Sequence, residues 1–275
     1  MSKLLAMLTT FAVPLTDAPS VLEPANDWSV EHSDGRCLLS RSFGTGADRI
    51  VFGLGLYPVT GADQIVLIEP AREAKSIKPT EARLVLNPGR DRETVYGVAV
   101  PREEGGSITK FAVPVALTDG VRGGERVVIR TEGRRYDLPL SDMGAAFAAA
   151  ERCQNDLMRK WGLDPDLATA VVTPAEPVGS PASWLSANDY PRDAQIREPT
   201  RKVVARAEID AQGAVTNCAV VQSSGAEALD QVTCEVVVRN RVRFRPARNA
   251  AGEAVPSIWI QGFCWLRWPD SLCIP

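Results

Sequence analysis

The residues best placed for covalent chemistry sit at one corner, "VVQSSGAEALDQVTCEVV" from Val220 to Val237, where Ser223, Ser224 and Asp230 follow one another across a strand, a sharp turn and a helix. A serine nucleophile on such an elbow needs a base within reach. The single histidine, His32, lies far upstream in the polar stretch "EHSDG", which reads as surface, and the pattern G-x-S-x-G is absent. Ser224 followed three residues later by Glu227 instead matches a capping box, with the hydroxyl accepting from the first helical turn and the carboxylate reaching back. Asp230 then falls in the first turns, where a carboxylate suits the helix dipole. The corner reads as a device that holds a helix. No catalytic constellation is visible elsewhere, so the chain reads as a non-enzyme without a cofactor.

Six cysteines accompany that one histidine, and none of them forms a CxxC pair, which argues against zinc and for disulfides. In "SDMGAAFAAAERCQNDLMRKWG", Met143, Phe147, Ala150, Cys153, Leu157 and Trp161 share one stripe of a predicted helix, capped by Ser141 and closed by Gly162. Cys153 therefore faces the sheet upstream, where the only cysteine is Cys37, and a Cys37–Cys153 bond is expected. Cys218, just ahead of the corner, and Cys234, on the flank of the following helix, would tie strand to helix. Cys264 and Cys273 bracket "WLRWPDSL" and would clip the C-terminal tail.

Disulfides imply an oxidising compartment. Lys3, the apolar run "LLAMLTTFAVPL" and the small residues Ala18 and Ser20 look like a secretory signal over residues 1–20. An uncleaved anchor and an ordinary cytosolic start are the alternatives, although a run broken by Pro14 falls well short of the roughly 20 apolar residues a bilayer needs. A mature chain without a transmembrane span, exported to the periplasm, is the expectation. The formal net charge of -3 gives no overall attraction to nucleic acid, and no aromatic platform for bases is evident.

These residues must be held by two kinds of framework. Over residues 21–168, short apolar stretches such as "RIVFGLGLYPV", "QIVLIEP" and "KFAVPVALTDG" alternate with turn signals, which predicts an antiparallel β domain closed by one helix. The Pro-rich segment 169–186 reads as a linker with too little bulk for a core. Beyond it, Val203, Ala205, Ala207 and Ile209 share one face of a strand, "DAQG" turns the chain at Gly213, and "AVTNCAVVQ" returns as a hairpin arm before the corner helix. The fold class is thus α+β, with the second unit over residues 187–266 and a tail over 267–275. In "RNRVRFRPAR", Arg241, Arg243 and Arg245 lie on one face of a strand, either as an anionic contact or as a solvated outer face.

"YPRDA" (Tyr190 to Ala194), "DAQGAVTNCAVVQSSG", Leu229 with Asp230, "RFRPA", "AAGEAVP" and "SIWIQGF" together resemble the C-terminal domain of TonB-type energy transducers. The resemblance implies a small α+β unit of hairpin, helix and antiparallel strands. It also implies a periplasmic role in which a segment of an outer-membrane TonB-dependent transporter, or another envelope protein, is added as a strand to the sheet edge. Tyr190, Pro191 and Ala194 match the leading motif beside the receptor-contacting region. Ile258, Trp259, Ile260, Gln261 and Gly262 match the strand whose edge accepts the peptide. The upstream β domain lies outside the resemblance, and a competing reading makes it a ligand-binding or enzymatic unit localised by the second.

Overall fold

The computed structural model describes residues 21–266 apart from 34, 59–61, 89–91, 132, 167–169, 185, 192–199 and 240–241. The expected signal, the tail, Ala194, Arg241 and Cys273 all lie outside the described residues. What is described is mostly antiparallel β with three helices, an α+β architecture built on one large curled sheet and one small one.

The large sheet has nine strands: β1 (Ser29–Ser33), β2 (Arg36–Phe43), β3 (Ile50–Leu56), β4 (Ala62–Glu69), β5 (Lys78–Asn87), β6 (Arg92–Pro101), β7 (Ser107–Pro114), β8 (Arg126–Thr131) and β9 (Arg134–Pro139). Their order is β1-β2-β3-β4-β7-β6-β5-β8-β9, every pairing antiparallel. The sheet curls so that the chain ahead of β1 bridges β9 and β2. The Leu22 amide donates to Asp137 O of β9, while Ala25 donates to Ser42 O of β2 and Glu23 O accepts from Gly44. Leu39, Phe43, Phe52, Leu54, Ile65, Phe111 and Ile129 fill the concave side.

Two helices, not the single one expected, cover that core: α1 (Val115–Gly123) and α2 (Met143–Lys160). The stretch "KFAVPVALTDG" is therefore not all strand. Pro114 ends β7 and stands as the residue before α1, and Leu117 and Val121, one turn apart, point into the core. Ser141 is not the cap of α2, since Asp142 holds that position at φ 65. The Ser141 hydroxyl accepts from Arg41 Nη1 at 2.9 Å and its carbonyl from Trp28 Nε1 at 2.8 Å, so it ties the helix entrance to β2. Gly162, at φ 74, ends α2 with Leu163 N donating back to Met158 O, as a Schellman motif requires.

The small sheet has the order β12-β11-β16, with β11 (Thr200–Ile209) central, β12 (Val215–Gln222) on one side and β16 (Ser257–Leu266) on the other. Gly213 makes the β11–β12 turn possible, because at φ 79 a Cβ there would stand 2.0 Å from the Phe244 carbonyl. Helix α3 (Glu227–Arg239) covers the face that carries Val203, Ala205, Ala207 and Ile209, all nearly inaccessible to solvent. The Cys218–Cys234 disulfide joins β12 to α3. The Cys37–Cys153 disulfide joins β2 to α2. Cys264 is disulfide-bonded as well, with its expected partner outside the described residues.

The Pro-rich segment expected to be a linker with too little bulk for a core is docked along the small sheet. Val172 and Thr173 donate to Arg248 O in β14 (Ala247–Arg248), which pairs with β15 (Ala254–Val255), and β10 (Glu176–Pro177) pairs with β13 (Phe244–Arg245). Val171, Ala175 and Trp184 enter the core around Trp259 and Phe263. The prolines prevent a helix but leave these three apolar side chains free to pack.

Candidate functional site

The corner with two serines is a cap, though not the capping box expected. Asp230, not Glu227, reaches back, accepting from the Ser224 amide at 2.9 Å and the Ser224 hydroxyl at 2.8 Å. Ser224 Oγ in turn accepts from Ala226 N, while Glu227 bonds Gln231 one turn on. Asp230 is near enough to close the loop because Gly225, at φ 80, folds the chain tightly. His32 is exposed on β1.

Two strands of the small sheet, β12 and β16, are paired on one side only among the described strands, and of these β16 is the one whose residues Ser257 to Gly262 border cavities in a continuous run. β16 pairs with β11 over its whole length, from Thr200↔Leu266 to Ile209↔Ser257, and no described strand pairs with its other side. Successive side chains of a strand point to opposite faces. Here both faces are covered. Trp259 packs at 5.2 Å from the Phe244 ring and 5.3 Å from Trp184 on the α3 face. Ile260 lies on the other face with Trp161, Leu163 and Val204, in an apolar cluster that also holds Cys37 and Leu157. Trp259 and Ile260 are thus core residues, and what β16 offers outward is its alternate N–H and C=O groups.

Two adjoining cavities run along that edge, of about 590 and 700 Å³, and both touch Pro174 and Ala175. The first borders Ser257 and Ile258 and is flanked by Leu163 and Asp164 after α2. The second borders Trp259 to Gly262 and is flanked by Tyr57, Asp63, Gln64 and Pro114 of the large sheet. The docked segment 172–177 forms the opposite side. The edge is therefore the floor of a slot with two walls.

Polar contacts fix the wall on the large-sheet side. Arg206 Nη1 donates to Trp161 O at 2.8 Å, placing a cation at the C-terminal end of α2, and Nη2 bonds Glu208. The Lys202 ammonium stands 5.9 Å from the Tyr57 ring centroid, and its stem crosses Gly262, where a Cβ would meet Lys202 Cε at 2.5 Å. Asp63 accepts from Thr118 Oγ1 at 2.6 Å and from the Tyr57 amide at 3.1 Å. Burial raises its pKa above the ordinary carboxylate value, against the opposing pull of those two bonds. Arg206 Nε and Ser257 Oγ, which border the first cavity, are buried without a partner.

The sequence-predicted residues divide. Ile258 to Gly262 lie on the slot floor. Tyr190 does not join them: it packs edge-on against Trp265 at 5.8 Å, in a cluster with Val203 and Leu229 at the far end of β16. Pro191 follows it, half-buried. Arg245 is paired with Glu176 of the docked segment, and Arg243 is exposed with its guanidinium on the Val242 carbonyl. Tyr57, Asp63, Gln64 and Lys202 escaped the sequence reading, and no local pattern marks them, since they meet the edge only through the packing of one sheet on the other.

A second polar feature lies at the end of β4, where Glu69 is buried. The Tyr136 hydroxyl donates to it, and Arg72 and Arg134 flank it at 3.5 and 3.9 Å. Burial first, then the bond and charge of Glu69, push the Tyr136 phenol well above its ordinary range, so it stays neutral. A cavity of about 270 Å³ adjoins this cluster.

No described helix is long and apolar enough to cross a membrane. Comparison with curated proteins and with solved structures gave no significant match. Residues 186–261, which include β11, β12, α3 and the slot-floor residues up to Gln261, match the family described as Gram-negative bacterial TonB protein C-terminal.

Proposed function

We propose that the chain is a periplasmic TonB-like protein that recognises an extended segment of an outer-membrane TonB-dependent transporter by adding it as a strand to the β16 edge. The reading is non-enzymatic, and contact of this kind is the step through which a TonB-type domain would pass energy to a transporter. One observation carries it: β16 is paired on one side only among the described strands, while the side chains of Trp259 and Ile260 are committed to two separate cores. Main-chain donors and acceptors are then what remains for a partner, and strand addition uses those groups. The family match over residues 186–261 supports the choice of partner class.

A photo-crosslinking residue placed at Gln261 in the slot, and in a separate protein at Val238 on the exposed side of α3, tests this in intact cells. Crosslinks from position 261 alone, mapping to an extended segment of a TonB-dependent transporter, are expected. Equal crosslinking from both positions, or none from 261, would remove the support for strand addition.

A further inference from the structure

We propose that the slot selects a single extended segment carrying positive charge, and that the large N-terminal sheet takes part by forming one of the two walls. This rests on strand addition at β16 and adds to it a partner chemistry and a task for a sheet that lies outside the family match.

The charge of the slot is the first ground. Among the described residues, five carboxylates border the two cavities (Asp63, Asp164, Glu176, Glu208 and Asp210); Glu176 is paired with Arg245 and Glu208 with Arg206, and Asp63 is buried, which leaves Asp164 and Asp210 as the carboxylates that set the charge, against Lys202. Arg206 and Glu208 offset one another, with Arg206 also donating to the Trp161 carbonyl, and Lys202 stands over Tyr57 at the other cavity, so the Ser257 end keeps the two aspartates. Asp164 and Asp210 accept from backbone amides, those of Asp166, and of Gln212 and Ala214, so their charge is solvated but not neutralised. Both lie at the Ser257 end of the slot. A cationic side chain at that end gains attraction, and an acidic one meets like charge.

The walls are the second ground. An exposed edge strand normally invites another sheet to pair with it, because nothing restricts what stands beside the added strand. Here Leu163 and Asp164, then Tyr57 and Gln64, rise on one side, and Pro174 to Pro177 on the other. A lone strand adds one row about 4.8 Å from the edge, whereas the edge of a second copy arrives with its own covering layers. The slot is thus matched to a segment that is unstructured before binding, not to self-association.

Fluorescein-labelled peptides with the core Val-Thr-Val-Thr-Val, flanked at both ends by Lys-Lys, Ser-Ser or Glu-Glu, test this on the full chain. The Lys peptide is expected to bind about tenfold more tightly than the Glu peptide at low salt, with the ratio shrinking as ionic strength rises. The double variant Asp164→Asn, Asp210→Asn, which keeps side-chain acceptors for the local turns, should bring that ratio close to one and leave the Ser peptide unchanged. Methylating alternate backbone nitrogens of the Lys peptide should abolish binding. Equal affinity of Lys and Glu peptides, with methylation still abolishing binding, would overturn the charge selection while sparing strand addition. Binding insensitive to methylation, or no binding by any peptide, would overturn both. A dimer in sedimentation that the Lys peptide dissociates would assign the slot to a second copy and overturn the proposal.

Discussion

In the large sheet the chain from Leu22 to Ala25 runs between the last and the second strand, bonding Asp137 O on one side and Ser42 O on the other, whereas in the small sheet β16 has β11 on one side and a slot on the other. An unpaired edge is a template for unwanted pairing, and proteins cover it or restrict access to it. The large sheet covers the β9 end with its own N-terminal segment. The small sheet restricts access to β16 by standing it between walls, one of which the large sheet supplies. One sheet closes an edge with its own chain, and the other leaves an edge available between walls that the first sheet helps to form.

Breaking the long-range ties should separate the two sheets' behaviour most strongly. The Cys37–Cys153 bond closes a loop with a sequence separation of 116, and the Cys218–Cys234 bond one of 16. The chain-entropy model gives about 5 and about 3 kcal/mol respectively, so paired Cys→Ala variants should lose stability in that order in chemical denaturation.

Arg206→Met tests the junction between the sheets. It leaves the Trp161 carbonyl without its donor and Glu208 without its cation, at an expected cost of about 1–3 kcal/mol in the same measurement.

Asp63 sharpens the comparison through pH. Burial lifts its folded pKa above the ordinary carboxylate value, so the folded state holds the proton more tightly than the unfolded chain and ionisation costs stability as pH rises. That cost is absent below about 3.8 and fully present above the folded pKa. Asp63→Asn should therefore raise the Tm at pH 7 and lose that advantage below the ordinary carboxylate value, as thermal melts across pH would record. The smallest effect belongs to Gly262→Ala, where a new Cβ meets only the flexible end of Lys202; a change within about 0.5 kcal/mol is expected.

Much of this was legible in the residues. The alternation of Val203, Ala205, Ala207 and Ile209 marked β11, and the stripe of α2 with its single upstream cysteine marked the Cys37–Cys153 bond, because both are short-range patterns read against one periodicity. Helix α1 was not legible, since "VALTDGVRG" is short and follows a strand without a polar cap. The docking of Val171, Ala175 and Trp184 was hidden by the prolines around them, which signal an extended chain but not whether it is free. Tyr190 was placed near the partner by motif alone, and its ring is held by Trp265. The floor of the slot could be read from "SIWIQGF", but its walls come from residues as distant in sequence as Tyr57 and Pro174.

Amide hydrogen exchange along β16, followed by NMR on the free chain, addresses the central claim most directly. Between Ile258 and Gly262 the amides that face β11 should be protected like those of β11 itself, and the alternate ones should exchange orders of magnitude faster until a partner segment is added. Uniform protection of both sets in the free chain would mean the edge is already occupied, and the account of an available strand would fail.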